Sequence, residues 1–242
     1  MESGRRTGGG KSEKNLMARL DLARPDLKRF DLVAFDCDGV LVDSEPITCG
    51  VLADMLNELG WRISLEETMH AFVGKSFLAE LAAIEAGIGQ PLAPDFYQQF
   101  VLRRDLQLAI KIEPVRGVLA AIEALAESNM AFCVASGAER AKMHLTLGRT
   151  GLLPWFEGKL FSGMEVARSK PAPDVYLLAA HTMGALPARC AVVEDTPVGV
   201  AAGVAAGMTV FGYAERMDGR ALLAAGAVSV FTDMAALPAL VR

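Results

Sequence analysis

Short apolar runs recur along the chain at Leu32–Phe35, Ala131–Ala135, Ala191–Val193, Thr209–Phe211 and Val228–Phe231. They are apolar at almost every position rather than at every second one, the pattern of strands covered on both faces in a parallel sheet. Between them lie segments of helical character, Gly117–Ser128 and Pro173–Met183. Strand alternating with helix predicts an α/β fold, a Rossmann-like doubly wound parallel sheet. From Pro46 to Lys111 the pattern changes to amphipathic stretches without a strand: Thr48–Leu59, Leu65–Phe72, Phe77–Glu85 and Pro94–Lys111. This predicts an all-helical unit, residues 47–111, inserted into a core made of residues 28–46 and 112–242.

The remaining residues, 1–27, read as a disordered tail. The stretch up to Lys14 is rich in Gly, Ser, Arg and Lys and has no apolar segment of the kind a signal peptide needs. Arg5-Arg6 lacks the hydrophobic run that follows a twin-arginine signal. Gly10-Lys11-Ser12 resembles the end of a phosphate loop, but the pattern's first glycine would fall on Arg5 and no strand precedes it. A longer apolar segment, Thr196–Ala214, carries no charge over nineteen residues and repeats glycine at 199, 203 and 207. Pro197 near its start and the strand-like second half make it a glycine-faced helix packed on a sheet, not a membrane span.

At 242 residues and 52% hydrophobic content, the chain can bury a sizeable core. A net charge of −5 gives no general attraction to nucleic acid or anionic membrane, so neither is expected as a partner. Four scattered cysteines without a CxxC pair fit neither a zinc site nor a disulfide framework, and point to a reducing cytoplasm.

In doubly wound sheets, ligands bind beyond the carboxyl ends of the strands. Four such ends carry polar residues here: Asp36-Cys37-Asp38-Gly39, Ser136-Gly137, Ser169-Lys170-Pro171 and Glu194-Asp195-Thr196. Brought to one edge, they make a coherent set. Two carboxylates two residues apart serve as nucleophile and acid/base, and Glu194 and Asp195 complete an oxygen-only site for magnesium. Lys170, Ser136 and backbone amides bind the other phosphoryl oxygens. Phosphoryl transfer is the chemistry this set performs. Cys37 faces the opposite, packed side. Asp43 and Glu45 are placed to tether the hinge or support Lys170, His144 and His181 lie on helix surfaces, and Asp218-Gly-Arg220 reads as a solvated turn.

The segments Asp36-Cys-Asp-Gly-Val-Leu-Val-Asp-Ser-Glu45, Val134-Ala-Ser136, Ser169-Lys-Pro-Ala-Pro-Asp-Val-Tyr176 and Val193-Glu-Asp-Thr196 together resemble, in order, the four motifs of the haloacid dehalogenase-like hydrolases. The inserted helices resemble the cap of that superfamily's beta-phosphoglucomutase and phosphoglycolate phosphatase branch. The resemblance implies that Asp36 attacks phosphorus and Asp38 is the acid/base. It implies that Asp36, Asp38 (through its carbonyl), Glu194 and Asp195 hold Mg2+, and that Ser136, Gly137 and Lys170 bind the phosphoryl group. Asp38 argues against dehalogenation. Mutases of the branch carry a histidine where this chain has Thr48 and an arginine where it has Phe77, so a phosphatase is favoured over a phosphosugar mutase, with Lys75 as a cap residue near the substrate. The stretch Val134–Leu152 followed by Lys159–Gly163 resembles the 6-phosphogluconate phosphatase subfamily. A receiver-like phospho-acceptor is disfavoured, because its acceptor lies on a later strand. The expectation is a small phosphorylated sugar or sugar acid as substrate, and a monomer or weak homodimer.

Overall fold

The computed structural model describes residues 30–73 and 77–242; the expected tail, residues 1–27, and Lys75 lie outside the described residues. Six strands form one parallel sheet: β1 Leu32–Phe35, β2 Ala131–Ser136, β3 Leu160–Ser162, β4 Cys190–Glu194, β5 Thr209–Tyr213 and β6 Ser229–Phe231. Their order across the sheet is β3-β2-β1-β4-β5-β6, with every neighbouring pair parallel. The two strands carrying the acidic motifs, β1 and β4, are adjacent in the middle, with Phe35 opposite Val193. The order reverses direction at β1, where the connections to β2 and β4 leave a crevice at the carboxyl edge. β3, Leu160-Phe-Ser162 at one edge, is absent from the apolar runs read in the sequence, whereas the equally short β6 at the other edge falls within the run Val228–Phe231.

Side chains on alternate positions of each strand enter opposite layers. Val33, Phe35, Phe132, Val134, Ala191 and Val193 join one apolar cluster, and Leu32, Ala34, Cys133, Ala135, Cys190 and Val192 join the other. Both faces are therefore buried, as the continuous apolar runs require. The helices that follow the strands cover them: α5 Val118–Glu127, α6 Arg140–Arg149, α7 Asp174–Thr182, α8 Pro197–Ala205, α9 Gly219–Ala224 and α10 Leu237–Leu240.

Between β1 and β2 come α1 Glu45–Glu58, α2 Leu65–Phe72, α3 Phe77–Ile88 and α4 Phe96–Lys111. They bury an apolar cluster of their own, including Leu52, Leu56, Ile84, Phe96 and Phe100. α1 starts at Glu45, three residues before the expected Thr48, because Pro46 sits in the first turn, where its missing N–H breaks no helical hydrogen bond. Ser64 and Glu67 cap α2 reciprocally.

The uncharged stretch from Thr196 divides into α8 and β5, and no helix among the described residues is long and apolar enough to cross a membrane. Its glycines have separate reasons. A Cβ on Gly203 would lie 2.7 Å from Val210, so the helix approaches the sheet at backbone distance, whereas Gly207 ends the helix at φ +75°. Asp218-Gly-Arg220 is not a free turn: Asp218 accepts a hydrogen bond from the Arg220 N–H and caps α9.

Gly203→Leu is expected to lower stability by about 1–3 kcal/mol through overpacking against β5. Urea unfolding with an unchanged midpoint would show that this helix face is not tightly packed.

Candidate active site

The loop leaving β1 turns back on itself. Leu41 and Val42 N–H groups donate to the Cys37 carbonyl, and the Gly39 N–H donates to the Val42 carbonyl. Gly39 has φ +75°, and a Cβ there would lie 1.9 Å from Asp195 Oδ2. Glycine is thus required twice over, for backbone angle and for space. The turn leaves Asp36 and Asp38 at the carboxyl edge and sends Cys37 into the core, 1% exposed. Burial pushes the Cys37 thiol up, as suits a packing residue.

Lys170 reaches across to this edge. Its Nζ donates to Asp36 Oδ1 at 2.6 Å and to Glu194 Oε1 at 2.7 Å, and lies 4.7 Å from the centre of the Tyr176 ring. Glu194 is 1% exposed and fully engaged. The Tyr176 hydroxyl also donates to Oε1, while the N–H and hydroxyl of Thr196 donate to Oε2. Thr196 in turn caps α8 by accepting from the Gly199 N–H at 3.1 Å. A Cβ on Gly199 would lie 1.7 Å from Glu194, so the first turn of α8 closes directly over that carboxylate.

The structure thus brings Asp36, Asp38, Ser136, Gly137, Lys170 and Glu194 to one cavity of about 340 Å³ at the carboxyl edge. Asp195 lies just beneath, and its buried Oδ1 has no hydrogen-bond partner. Ser136 Oγ accepts from the Ala138 N–H at 3.2 Å, leaving its own hydroxyl proton for an incoming oxygen. Asp43 and Glu45 do not support Lys170: Asp43 pairs with Arg216, and Glu45 lines the cavity. His144 and His181 are on exposed helix faces, as read from the sequence.

Four further residues enter the site. Lys142 on α6 lies 2.8 Å from Asp38 Oδ1, which also accepts from the Ser44 hydroxyl. Tyr97 and Arg104 on α4 reach Glu139, at the start of α6, at 2.7 Å and 3.5 Å. Two of these had a signal in the sequence. Arg104 interrupts the apolar stripe Phe96, Phe100, Leu108 at the spacing of one helix face, so its guanidinium had to be buried. Lys142 stands in the first turn after a strand end bearing Ser136-Gly137, where a helix begins at the site.

Charge at this edge is unbalanced. Asp36, Asp38, Glu45, Glu194 and Asp195 face the ammoniums of Lys142 and Lys170. Burial pushes Asp36 up to about 7; Lys170 draws it down, and Glu194 and Asp38 raise it again. Burial also raises Glu45 to about 7, and raises Asp195 well above the carboxylate range, with Glu194 and Asp36 adding to it. For Asp38 burial is outweighed by Lys142 and Ser44, which hold the carboxyl below its usual value. Among the described residues, no three His, Cys, Asp or Glu side chains are grouped to enclose a metal by themselves.

Residues 30–207 match the haloacid dehalogenase-like hydrolases. The chain belongs to this family, and it is a phosphatase enzyme within it. The 6-phosphogluconate phosphatase of Escherichia coli strain K12 is 30% identical over 210 residues, covering 85% of this chain and 92% of that protein. Hexitol phosphatase A of the same strain is 31% identical over 174 residues, covering 72% and 78%. A family hydrolase from Deinococcus radiodurans R1, solved with bound phosphate and sodium, superposes with a TM-score of 0.75 at 33% identity, over 89% of this chain and 99% of that one.

Asp36 and Glu45 stand near 7 in the fold against ordinary values of 3.8 and 4.5, so between those limits the folded state holds protons that the unfolded chain has released. Stability of the metal-free protein is therefore expected to fall as pH rises from about 4 to about 7, and to go on falling above while the still more strongly raised Asp195 titrates, and Glu45→Gln makes the slope below 7 shallower. Urea midpoints across that window measure it, and a rising midpoint would contradict the assigned burial.

Proposed function

We propose that the chain is a magnesium-dependent phosphatase of small phosphorylated sugars or sugar acids, working through an aspartyl-phosphate on Asp36. The observation that carries this reading is Lys170 held between Asp36 and Glu194, with Asp38 two residues beyond the nucleophile in the same cavity. The relatives that act on 6-phosphogluconate and hexitol phosphates supply the substrate class.

The donor set fits a divalent cation that prefers oxygen. Asp195 keeps a buried oxygen without a partner, and five carboxylates outnumber two ammoniums at this edge. The carboxylates of Asp36 and Asp195, with the backbone carbonyl of Asp38, would hold it. Glu194, whose oxygens are taken by Lys170, Tyr176 and Thr196, acts by fixing Lys170 instead of through a free oxygen. Magnesium, when bound, offsets the repulsion between the carboxylates and an anionic phosphoryl group.

Asp36 attacks phosphorus while the bond from phosphorus to the ester oxygen breaks, and Asp38, which takes up a proton as the anionic ester enters beside it, gives that proton to the departing oxygen. Asp38, now ionised beside Lys142 and Ser44, then takes a proton from water as the water oxygen attacks the aspartyl-phosphate. The bond between phosphorus and the Asp36 oxygen breaks, restoring the carboxylate and releasing phosphate. Lys170, the Ser136 hydroxyl and the backbone at Gly137 hold the remaining phosphoryl oxygens. The helices α1–α4 act as a cap, residues 47–111, that excludes bulk water and admits only small esters. Thr48, standing where the branch's mutases carry histidine, keeps the reading on hydrolysis. The four free, buried cysteines suit a reducing cytoplasm.

Asp36→Asn should abolish phosphate release from 6-phosphogluconate and hexitol phosphates while leaving the urea midpoint close to wild type, and retained turnover would refute the nucleophile. EDTA should silence the wild type, with recovery on adding magnesium. Undiminished turnover in EDTA would remove the metal from the mechanism.

A further inference from the structure

Threonines inside helices usually satisfy their hydroxyls by donating to the carbonyl four residues earlier. Thr68 does so to Ser64 at 2.8 Å, and Thr146 to Lys142 at 3.0 Å. Thr48 does not. Its Oγ1 is buried and has no hydrogen-bond partner, although its own N–H makes the ordinary helical bond to the Ser44 carbonyl. A buried hydroxyl left without a partner costs about 1–3 kcal/mol, so its retention calls for a ligand.

Glu45 stands three residues before Thr48, on the same face of α1. Both line the cavity that holds Asp36, Asp38 and Lys170. The Glu45 carboxylate hydrogen-bonds to none of the described residues. The two residues that begin the face, Ser44 and Glu45, therefore divide the work: the Ser44 hydroxyl is spent on Asp38, while Glu45 lines the cavity together with Thr48, whose buried hydroxyl has no partner. The pair combines a carboxyl, which accepts when ionised and also donates when protonated, with a hydroxyl that both donates and accepts.

We propose that Glu45 and Thr48 form the hydroxyl-recognition subsite of the substrate. They bind a pair of neighbouring alcohol groups on the carbon chain beyond the phosphoryl group. A vicinal diol satisfies both side chains at once: one hydroxyl donates to Glu45, and the next accepts from, or donates to, Thr48. The nearby cations do not compete for this role, because Lys142 is paired with Asp38 and Arg104 with Asp105 and Glu139. The subsite selects a polyhydroxylated phosphate ester by its alcohols, independently of whether the far end is an alcohol or a carboxylate. This inference rests on the phosphatase reading above and specifies which part of the substrate that site reads.

The test compares kcat/KM for sorbitol 6-phosphate and 6-phosphogluconate with that for butyl phosphate, which has a similar chain without hydroxyls. In Thr48→Val and in Glu45→Gln, the preference for the polyol esters over butyl phosphate is expected to fall about tenfold each, the loss of one substrate hydrogen bond. Thr48→Ser, which keeps the hydroxyl, should retain the wild-type preference and so separates recognition from packing. A wild type that prefers the polyol esters, with that preference unchanged in both Thr48→Val and Glu45→Gln, would overturn the subsite while leaving the phosphatase intact. A wild type that releases no phosphate from either polyol ester would instead overturn the sugar-phosphatase reading and the subsite with it.

Discussion

A single buried ammonium organises this protein. Lys170 sits between Asp36 on the loop after β1 and Glu194 at the end of β4, and no other cation touches either carboxylate among the described residues. Two carboxylates at the edge of a buried sheet repel one another and lose their hydration; a cation that bonds to both offsets each penalty. The same contact joins segments 24 and 134 residues apart in sequence, which makes the site a product of the whole sheet and not of any one loop.

Support for that contact extends outward in layers. Glu194 is held by Tyr176 from α7 and by Thr196 at the start of α8, so the carboxylate cannot turn away from Lys170. Two glycines make the room: Gly199 lets α8 close over Glu194, and Gly39 lets the β1 loop close over Asp195. Such an arrangement holds charged groups in fixed directions without water, which is the condition for stabilising charge that develops during reaction. After Lys142 and Lys170 are counted, carboxylates remain in surplus at this edge.

The inserted helices meet this edge from the other side. α1 begins directly after Ser44, whose hydroxyl binds Asp38, so its first turns are placed by the loop after β1. α4 is joined to α6 through Tyr97, Arg104 and Glu139 at the rim of the cavity. On the function proposed above, chemistry belongs to the sheet, where strands fix positions rigidly, and discrimination among substrates belongs to the helices.

Much of this was legible in the chain. Period and composition determined the sheet, the helical insertion and the strand ends that carry polar residues, because both reflect burial on one or two faces, which each residue's own chemistry decides. Three of the four motifs were readable for the same reason: Asp36, Asp38, Ser136 and Asp195 are polar residues where a buried strand stops, whereas Lys170 lies in a loop eight residues beyond the end of β3 and no strand end announces it. Three features were decided only by tertiary structure. β3 has only two apolar residues in a row before Ser162, and its place comes from pairing with β2. The roles of Lys142 and Glu139 depend on where α6 lies relative to the β1 loop and α4, distances that no local spacing encodes. Thr48 is the sharpest case: in sequence it is one more helical threonine, and only packing withholds from its hydroxyl both water and the carbonyl one turn back.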